Sequence, residues 1–466
     1  MATSFSKLNL RETFDRLVAT RVDIASLAAF RILFGLLMAA AMVRFMANGW
    51  VTELYVTPAF HFTYPGFEWI RPWPGAGMHL HFFLLALLAI GVAVGSFYRC
   101  CITLFFLGFT YVELLDQTAY LNHYYLISLL SGLMIFLPAH RAWSFDAWRN
   151  PQFRLDGMPA WALNILRFQV SVVYVFAGLA KFNADWLFKA EPLRIWLAAR
   201  SDLPLIGPLL NETWVAYAAS WFGAGFDTFI VLFLLNRRTR RVAYLMVIIF
   251  HVATWILFPI GMFPWIMIAA ATVFFPADWP RYWVIRFLAV VSPWVKSPKV
   301  APGISGAMAI EHSLRLPNSQ VNRKLLVLLG IYIAIQLALP LRPYFTTASP
   351  AWTCSSFNCA WQVMIVEKTG YTEFYAFEPA TGKRSKLSLD KYLTPRQQIM
   401  MAQDPYLIRQ MARRLAADLK AQGFAQAQVK VDAHATLNGR PSQRLINSEV
   451  DLAGKLPAGW ILPLEN

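Results

Sequence analysis

Nine apolar runs punctuate the chain, at about 27–46, 80–97, 101–116, 121–138, 161–180, 213–235, 242–258, 262–275 and 325–341. A helix rises about 1.5 Å per residue, so a run of ~17–25 residues can cross a hydrocarbon layer of ~30 Å. Several runs lie at the short end, and the pattern predicts about nine transmembrane helices, with eight or ten as the neighbouring counts. Beyond residue 341 the apolar runs shorten, charges become frequent and turn signals appear at Glu378-Pro379, Thr381-Gly382 and Asn438-Gly439. Residues 361–366 and 372–377 read as two strands of a hairpin turning at Thr369-Gly370. Thr394-Pro395 opens a predicted helix to about Lys420, with proline at the first helical position. Residues 428–437 alternate like a strand, and Asn438-Gly439 predicts a tight turn into 443–446. The expected fold is a polytopic α-helical membrane protein with a C-terminal mainly-β or α+β domain. Its divisions are an amphipathic N-terminus (1–26), a transmembrane domain (27–341) and a globular domain (342–466).

Composition strengthens the membrane reading. Of 466 residues, 57% are hydrophobic and only 15% charged, against roughly 25% charged in soluble domains. The net charge of +16 raises the question of a nucleic-acid partner, but no nucleic-acid-binding motif accompanies it. Basic loops retained on the cytoplasmic side explain the excess. With the N-terminus cytoplasmic, Lys7, Arg11, Arg16 and Arg21 lie inside, as do Arg141, Arg149, Arg154 and the run Arg237-Arg238-Thr239-Arg240-Arg241. The connection 276–324, carrying Arg281, Arg286, Lys296, Lys299, Arg315, Arg323 and Lys324, also falls inside. Nine spans then put residues after 341 outside, which predicts a multi-pass protein of the cell inner membrane with a periplasmic C-terminal domain. Residues 1–26 do not read as a cleavable signal peptide, so the first span is expected to serve as the targeting signal. The partner implied so far is the lipid bilayer.

Ionisable groups within or at the ends of apolar runs are costly, and each is therefore a functional candidate. Lys181 closes the run 161–180, a place that suits a lysine snorkelling to the interface and also an amine held in an apolar pocket as a base. His123 starts the run 121–138, with Asp116 just before it. It reads either as a helix-end histidine or, with Lys181 at the same outer face, as part of a site. His251 lies inside a span and fits a cavity-facing group or an interhelical hydrogen bond. Arg31 and Arg44, in the first span, favour a structural role. Four cysteines cannot form a disulfide framework, but Cys354 and Cys359 are expected on the oxidising side as a candidate local disulfide. No metal-ligand spacing, phosphate loop, nucleophile elbow or dinucleotide fingerprint appears, so no metal is expected.

Taken together, these segments resemble the vitamin K-dependent γ-glutamyl carboxylase family, including its bacterial members with an HTTM domain. The resemblance runs through Leu114-Leu115-Asp116-Gln117-Thr118 and Asn122-His123-Tyr124-Tyr125-Leu126. It continues in Ala177-Gly178-Leu179-Ala180-Lys181-Phe182-Asn183-Ala184-Asp185-Trp186 and Ile260-Gly261-Met262-Phe263. In the C-terminal part it includes Trp352, Trp361, Leu437-Asn438-Gly439-Arg440 and Val450-Asp451-Leu452. The resemblance implies a lyase-type carboxylase whose cosubstrates are reduced vitamin K (a naphthohydroquinone), O2 and CO2. In such a reaction an amine, matched here by Lys181, deprotonates the hydroquinone. Oxygen then adds, and rearrangement toward the 2,3-epoxide yields an alkoxide strong enough to take a γ-proton from a glutamate of a protein or peptide substrate. The resulting carbanion attacks CO2. His123 matches a histidine tied to the carboxylation half, Asn122 and Asp116 match orienting residues, Trp361 lies where the glutamate is expected, and His251 matches a histidine of less defined role.

This chain departs from the vertebrate pattern at three places. Phe357 stands where tyrosine is expected, Val366 where histidine is expected, and Pro343 follows Arg342 where histidine is usual. Each departure removes a polar partner. The alternatives are therefore an epoxidase with another acceptor or none, and a non-catalytic receptor or transporter on the same scaffold. The absence of inverted repeats argues against a transporter.

Overall fold

A computed structural model describes residues 17–291, 322–346, 348–424 and 426–465. Lys7, Arg11 and Arg16 of the expected inner N-terminus, and Lys296, Lys299 and Arg315 of the expected inner connection, lie outside the described residues.

The chain opens with strand β1 (Arg21–Asp23), paired antiparallel with β2 (Gly157–Pro159). The main helices are α1 (Ala25–Ala47), α2 (Gly77–Val94), α3 (Tyr98–Leu115), α4 (Asn122–Phe136), α5 (Trp161–Ala180), α6 (Ala184–Lys189) and α7 (Leu193–Ala198). They continue with α8 (Thr213–Leu235), α9 (Arg240–Leu257), α10 (Phe263–Ala271), α11 (Trp279–Val291) and α12 (Arg323–Leu341). Among the described residues, seven helices are long and apolar enough to cross a membrane: α1, α2, α3, α5, α8, α9 and the segment starting with α12. This is a multi-pass membrane protein. The other two apolar runs form shorter helices, the 15-residue α4 and the nine-residue α10.

Side-chain placement follows the solvent. On α2 the interior face carries Met78, Phe82, Leu85, Ala86, Ala89, Val92 and Ala93, while Leu80, Phe83, Leu84, Leu87 and Ile90 point outward. The alanines on that face let α1 come close, since a Cβ at Gly35 would stand 2.5 Å from the Ala93 nitrogen and 2.7 Å from the Ala89 carbonyl oxygen, the close backbone approach on which helix packing in lipid relies. On α9 the buried residues are Ala243, Val247 and His251, a single stripe of period four, so His251 faces the bundle. Arg31 is fully buried and structural. Its guanidinium donates to the carbonyls of Val92, Ala93, Ala139 and Trp143, tying the C-terminal end of α2 to the segment after α4.

The C-terminal part is a four-stranded antiparallel sheet of order β4-β3-β5-β6, built from β3 (Lys368–Phe377), β4 (Arg384–Leu387), β5 (Gln428–Leu437) and β6 (Gln443–Arg444). Helices α13 (Pro395–Met401) and α14 (Pro405–Ala421) accompany it. Ile408, Met411 and Leu415 of α14 are buried in one cluster with Val429, Val431 and Ala433 of β5. Phe62, from the loop after α1, sits in that same cluster and joins the two parts of the chain.

Three sequence expectations change here. Thr369-Gly370 does not turn; both residues lie inside β3, and 361–366 is irregular. Gly370 is needed for close approach, since a Cβ there would stand 2.1 Å from the Ala402 carbonyl oxygen at the end of α13. The expected helix from Pro395 breaks at Asp404, whose carboxylate caps the Tyr406 N–H while Pro405 starts α14. The turn at Asn438-Gly439 is wider than a two-residue hairpin, because the first ladder pair beyond it is Ala435 with Gln443. Pro441 cannot donate to a ladder, and Arg440 leaves the sheet for another partner.

Candidate active site

Lys181 follows the last residue of α5 and is 4% exposed. Helix α5 meets α8 closely at Gly178, where a Cβ would lie 2.5 Å from Thr228 Oγ1 and 2.7 Å from its backbone nitrogen. That approach brings Asp227, the neighbour of Thr228, to the lysine. Lys181 Nζ donates to Asp227 Oδ2 at 2.8 Å, to the Ala177 carbonyl at 3.1 Å and to the Val363 carbonyl at 3.3 Å. The ammonium also lies 5.2 Å from the Trp186 ring centroid. The amine is therefore neither snorkelling nor isolated. It is half of a buried ion pair, linked to the C-terminal loop through Val363.

A cavity of about 610 Å3 lies between the first helices, α9, α10 and the loop 363–364. Its wall is mostly apolar and aromatic, including Phe45, Trp50, Tyr55, Phe82, Phe109, Trp255, Phe258 and Phe263. Its polar groups include Arg44, Glu113, Asn122, His123 and Arg396. His123 packs edge-on against Tyr124 at 4.7 Å and faces Phe263 at 6.1 Å. The amide oxygen of Asn122 accepts from the Tyr120 hydroxyl, which in turn accepts the Cys359 N–H at 2.8 Å. A second cavity, about 220 Å3, shares Leu121, Asn122 and Met364 with the first and is also lined by Phe357, Gln362 and Val366. Two of the departures from the vertebrate pattern thus share one wall.

The other expected residues take different places. Lys181 does not line either cavity; Val363, which it holds, lines the larger one. Asp116 is 1% exposed and binds His61 Nδ1, the Thr118 N–H and hydroxyl, and Gln397 Nε2. It anchors the turn before Asn122 to α13 of the C-terminal part, so its hold on the site is indirect. Trp361 is fully buried beside Tyr125, 5.1 Å between rings, with its Nε1 unpartnered. His251 Nε2 pairs with the Tyr174 hydroxyl at 2.8 Å, the interhelical hydrogen bond of the two readings. Arg44 lines the cavity and stacks over Trp50 at 4.8 Å, which is more than the purely structural role expected of it.

The expected disulfide is absent: Cys354 and Cys359 are both free thiols. Cys354 Sγ sits 3.6 Å from Lys368 Nζ and 3.4 Å from the Gln403 carbonyl, whereas the Cys359 backbone is held by Tyr120. The two side chains thus have separate surroundings. Burial, with Asp404 nearby and Lys368 opposing, pushes the Cys354 thiol up to about 12. Burial likewise pushes Cys359 up to about 11. Among the described residues no group of three or more His, Cys, Asp or Glu is placed to hold a metal ion.

A clamp fixes the C-terminal part to the segment after Lys181. Arg440 makes a bidentate pair with Asp185, Nη1 to Oδ2 at 2.6 Å and Nη2 to Oδ1 at 2.8 Å. Asn438, at φ 48°, donates to Asp185 Oδ2 and to the Ile365 carbonyl and accepts the Glu367 N–H. The turn 437–440 therefore holds both the Lys181 segment and the loop that carries Val363.

Asp227 and Glu113 were not singled out from the sequence. The signal was present in both cases: each is an acidic residue inside an apolar run, the same feature that drew attention to Lys181. The Asp185–Arg440 pair spans 255 positions, and no local pattern could have announced it.

The HTTM domain family model matches residues 20–279, and that of the vitamin K-dependent gamma-carboxylase lumenal domain matches residues 321–466. No solved structure matches the chain.

Proposed function

The chain belongs to the vitamin K-dependent gamma-carboxylase family, and from that premise we propose that it oxygenates reduced vitamin K and couples this to carboxylation of a protein glutamate. The observation that carries this reading is the apolar cavity lined by His123 and Asn122, with the Lys181–Asp227 pair bonded to its wall at Val363. The cavity suits a bicyclic aromatic head with an apolar tail: its volume of about 610 Å3 falls inside the ~300–1,000 Å3 of small-molecule sites. Its aromatic lining and few convergent polar groups meet the other requirement of such sites.

When bound, the hydroquinone supplies with O2 the strong base that no side chain can be. The protein's task is proton handling and exclusion of water. An ammonium has no lone pair, so Lys181 acts as a base only after passing a proton to Asp227 Oδ2. That transfer replaces two buried charges by two neutral groups and avoids their desolvation cost. The Val363 carbonyl, the longest of the three contacts, lies between amine and cavity and opens when Lys181 reaches a ring hydroxyl. His123 assists the carboxylation half, Asn122 is oriented by Tyr120, and the apolar wall limits the water that would quench the base. His251 and Trp361 support the walls.

The smaller cavity is the approach for the glutamate side chain, with Gln362 as its polar contact. In the membrane, α4 and α10 complete nine spans as short or tilted helices. The N-terminus (1–26) is cytoplasmic, 27–341 forms the membrane domain, and 342–466 is a periplasmic domain, with the bilayer of the inner membrane as partner.

Incubation of the purified protein with reduced vitamin K, bicarbonate and a glutamate peptide tests the reading, with epoxide and incorporated CO2 measured separately. Both products are expected. Phe357 and Val366 favour a second reading, oxygenation without a peptide acceptor, which epoxide alone would establish. Neither product from folded protein would leave a binding scaffold.

A further inference from the structure

Among the described residues, the carboxyl of Glu113 is the one acidic side chain on the wall of the larger cavity. It projects from α3, where apolar residues are otherwise the rule. Ser128 Oγ donates to its Oε2 at 2.7 Å, and Thr110 Oγ1 donates in turn to Ser128 at 3.2 Å. Among the described residues this serine is its only hydrogen-bond partner, and no ion pair joins it to Arg44 or Arg396 on the same wall. A structural carboxylate in an apolar setting is normally paired or multiply hydrogen-bonded. Glu113 instead has one carboxyl oxygen held by serine, on a side chain that lines the cavity.

We propose that Glu113 is a positioning residue that accepts a hydrogen bond from a ring hydroxyl of the bound hydroquinone and so selects the reduced over the oxidised ring. This inference rests on the reading of the cavity as the quinol site. The chemistry of selection is simple. To the ionised carboxyl a hydroquinone presents two O–H donors, whereas the quinone presents only carbonyl acceptors, which a carboxylate cannot satisfy and whose lone pairs it repels. An enzyme that consumes the reduced form gains from refusing the oxidised one, which shares its shape and apolar surface. Shape and apolar contact alone discriminate poorly between isosteres, but a built hydrogen-bonding group discriminates well. The Ser128–Thr110 relay fixes the carboxyl's orientation, so the selection does not depend on a free rotamer.

Equilibrium binding of 2-methyl-1,4-naphthohydroquinone, kept reduced under anaerobic conditions, and of its quinone to the full-length protein in nanodiscs tests this without turnover. Wild type should bind the hydroquinone at least tenfold more tightly than the quinone. Glu113→Gln, nearly isosteric and able to donate as well as accept, should bring the two within about threefold. Glu113→Leu should weaken hydroquinone binding about tenfold while leaving the quinone unchanged or tighter. An unchanged hydroquinone-to-quinone ratio in both folded variants would overturn the role of Glu113 while leaving the cavity assignment standing. Wild-type protein that binds neither form would instead refute the quinol site, and this inference with it.

Discussion

Replacing Asp227 with asparagine keeps the side chain's shape and removes only the charge opposite Lys181. At 2.8 Å, two unit charges attract by about 6 kcal/mol at an effective dielectric constant of ~20. Most of that attraction offsets the desolvation of two groups whose side chains are 6% and 9% exposed. Removing one partner leaves the desolvation cost uncompensated, typically about 3–5 kcal/mol. Lys181 keeps its hydrogen bonds to Ala177 and Val363, which places the expected loss near the lower end, about 3 kcal/mol. Reversible unfolding in mixed detergent would measure it. The double change Lys181→Met with Asp227→Leu removes both charges and should recover most of the loss, although the protein would then be inactive. A loss below about 1 kcal/mol for Asp227→Asn, or a double variant as unstable as the single one, would refute the buried pair.

Gly178→Val should push α5 from α8, because its Cβ would meet Thr228 at 2.5 Å; we expect about 1–3 kcal/mol of destabilisation and a larger loss of epoxide formation than a neutral surface change, both read on the same preparation. At Asp185, burial raises the carboxyl pKa but the hydrogen bonds from Arg440 and Asn438 outweigh it, so the net shift is downward. A depressed folded-state value means that the clamp's stabilisation is complete above the unfolded pKa of about 3.9 and is lost as pH falls through the folded value. Hydrogen exchange in the 437–440 turn should thus be insensitive to the clamp between pH 5 and 7, apart from intrinsic rates, and protection should fall below about pH 4. Asp185→Ala should open the turn already at pH 7, and equal protection in variant and wild type would contradict the clamp. Because partial burial pushes Cys354 and Cys359 up to about 12 and about 11, little thiolate exists at pH 8. Both should alkylate far more slowly than free cysteine in native protein and readily after denaturation without reductant; failure of the second step would indicate a disulfide.

Much of this arrangement was legible because membrane helices declare themselves by length and apolarity, which are local properties. The runs that became α1, α5 and α8 needed no tertiary context. The C-terminal part was less legible for the same reason reversed. Gly370 looked like a turn, since nothing in the sequence tells that the end of α13 will press against it. The hairpin after β5 looked tight because the pull of Asp185 on Arg440 comes from 255 positions away. At the site, Lys181, His123 and Asn122 stood out as polar groups at the ends of apolar runs. That Lys181 stands behind the cavity wall rather than on it depends on the Val363 carbonyl, and backbone placement of an irregular loop leaves no sequence signature. Asp227 was readable and required only that the rule applied to the lysine be applied to every acid in a span.

We propose that Lys181, paired with Asp227, is the first proton acceptor and that His123 serves the later carboxylation. The most direct test of this proposal compares Lys181→Ala and His123→Ala with wild type in the assay that reads epoxide and incorporated CO2 from the same reaction. Lys181→Ala should lose both products while folded, and His123→Ala should lose carboxylation more than epoxidation. Epoxide formation at the wild-type rate by folded Lys181→Ala would contradict the proposal.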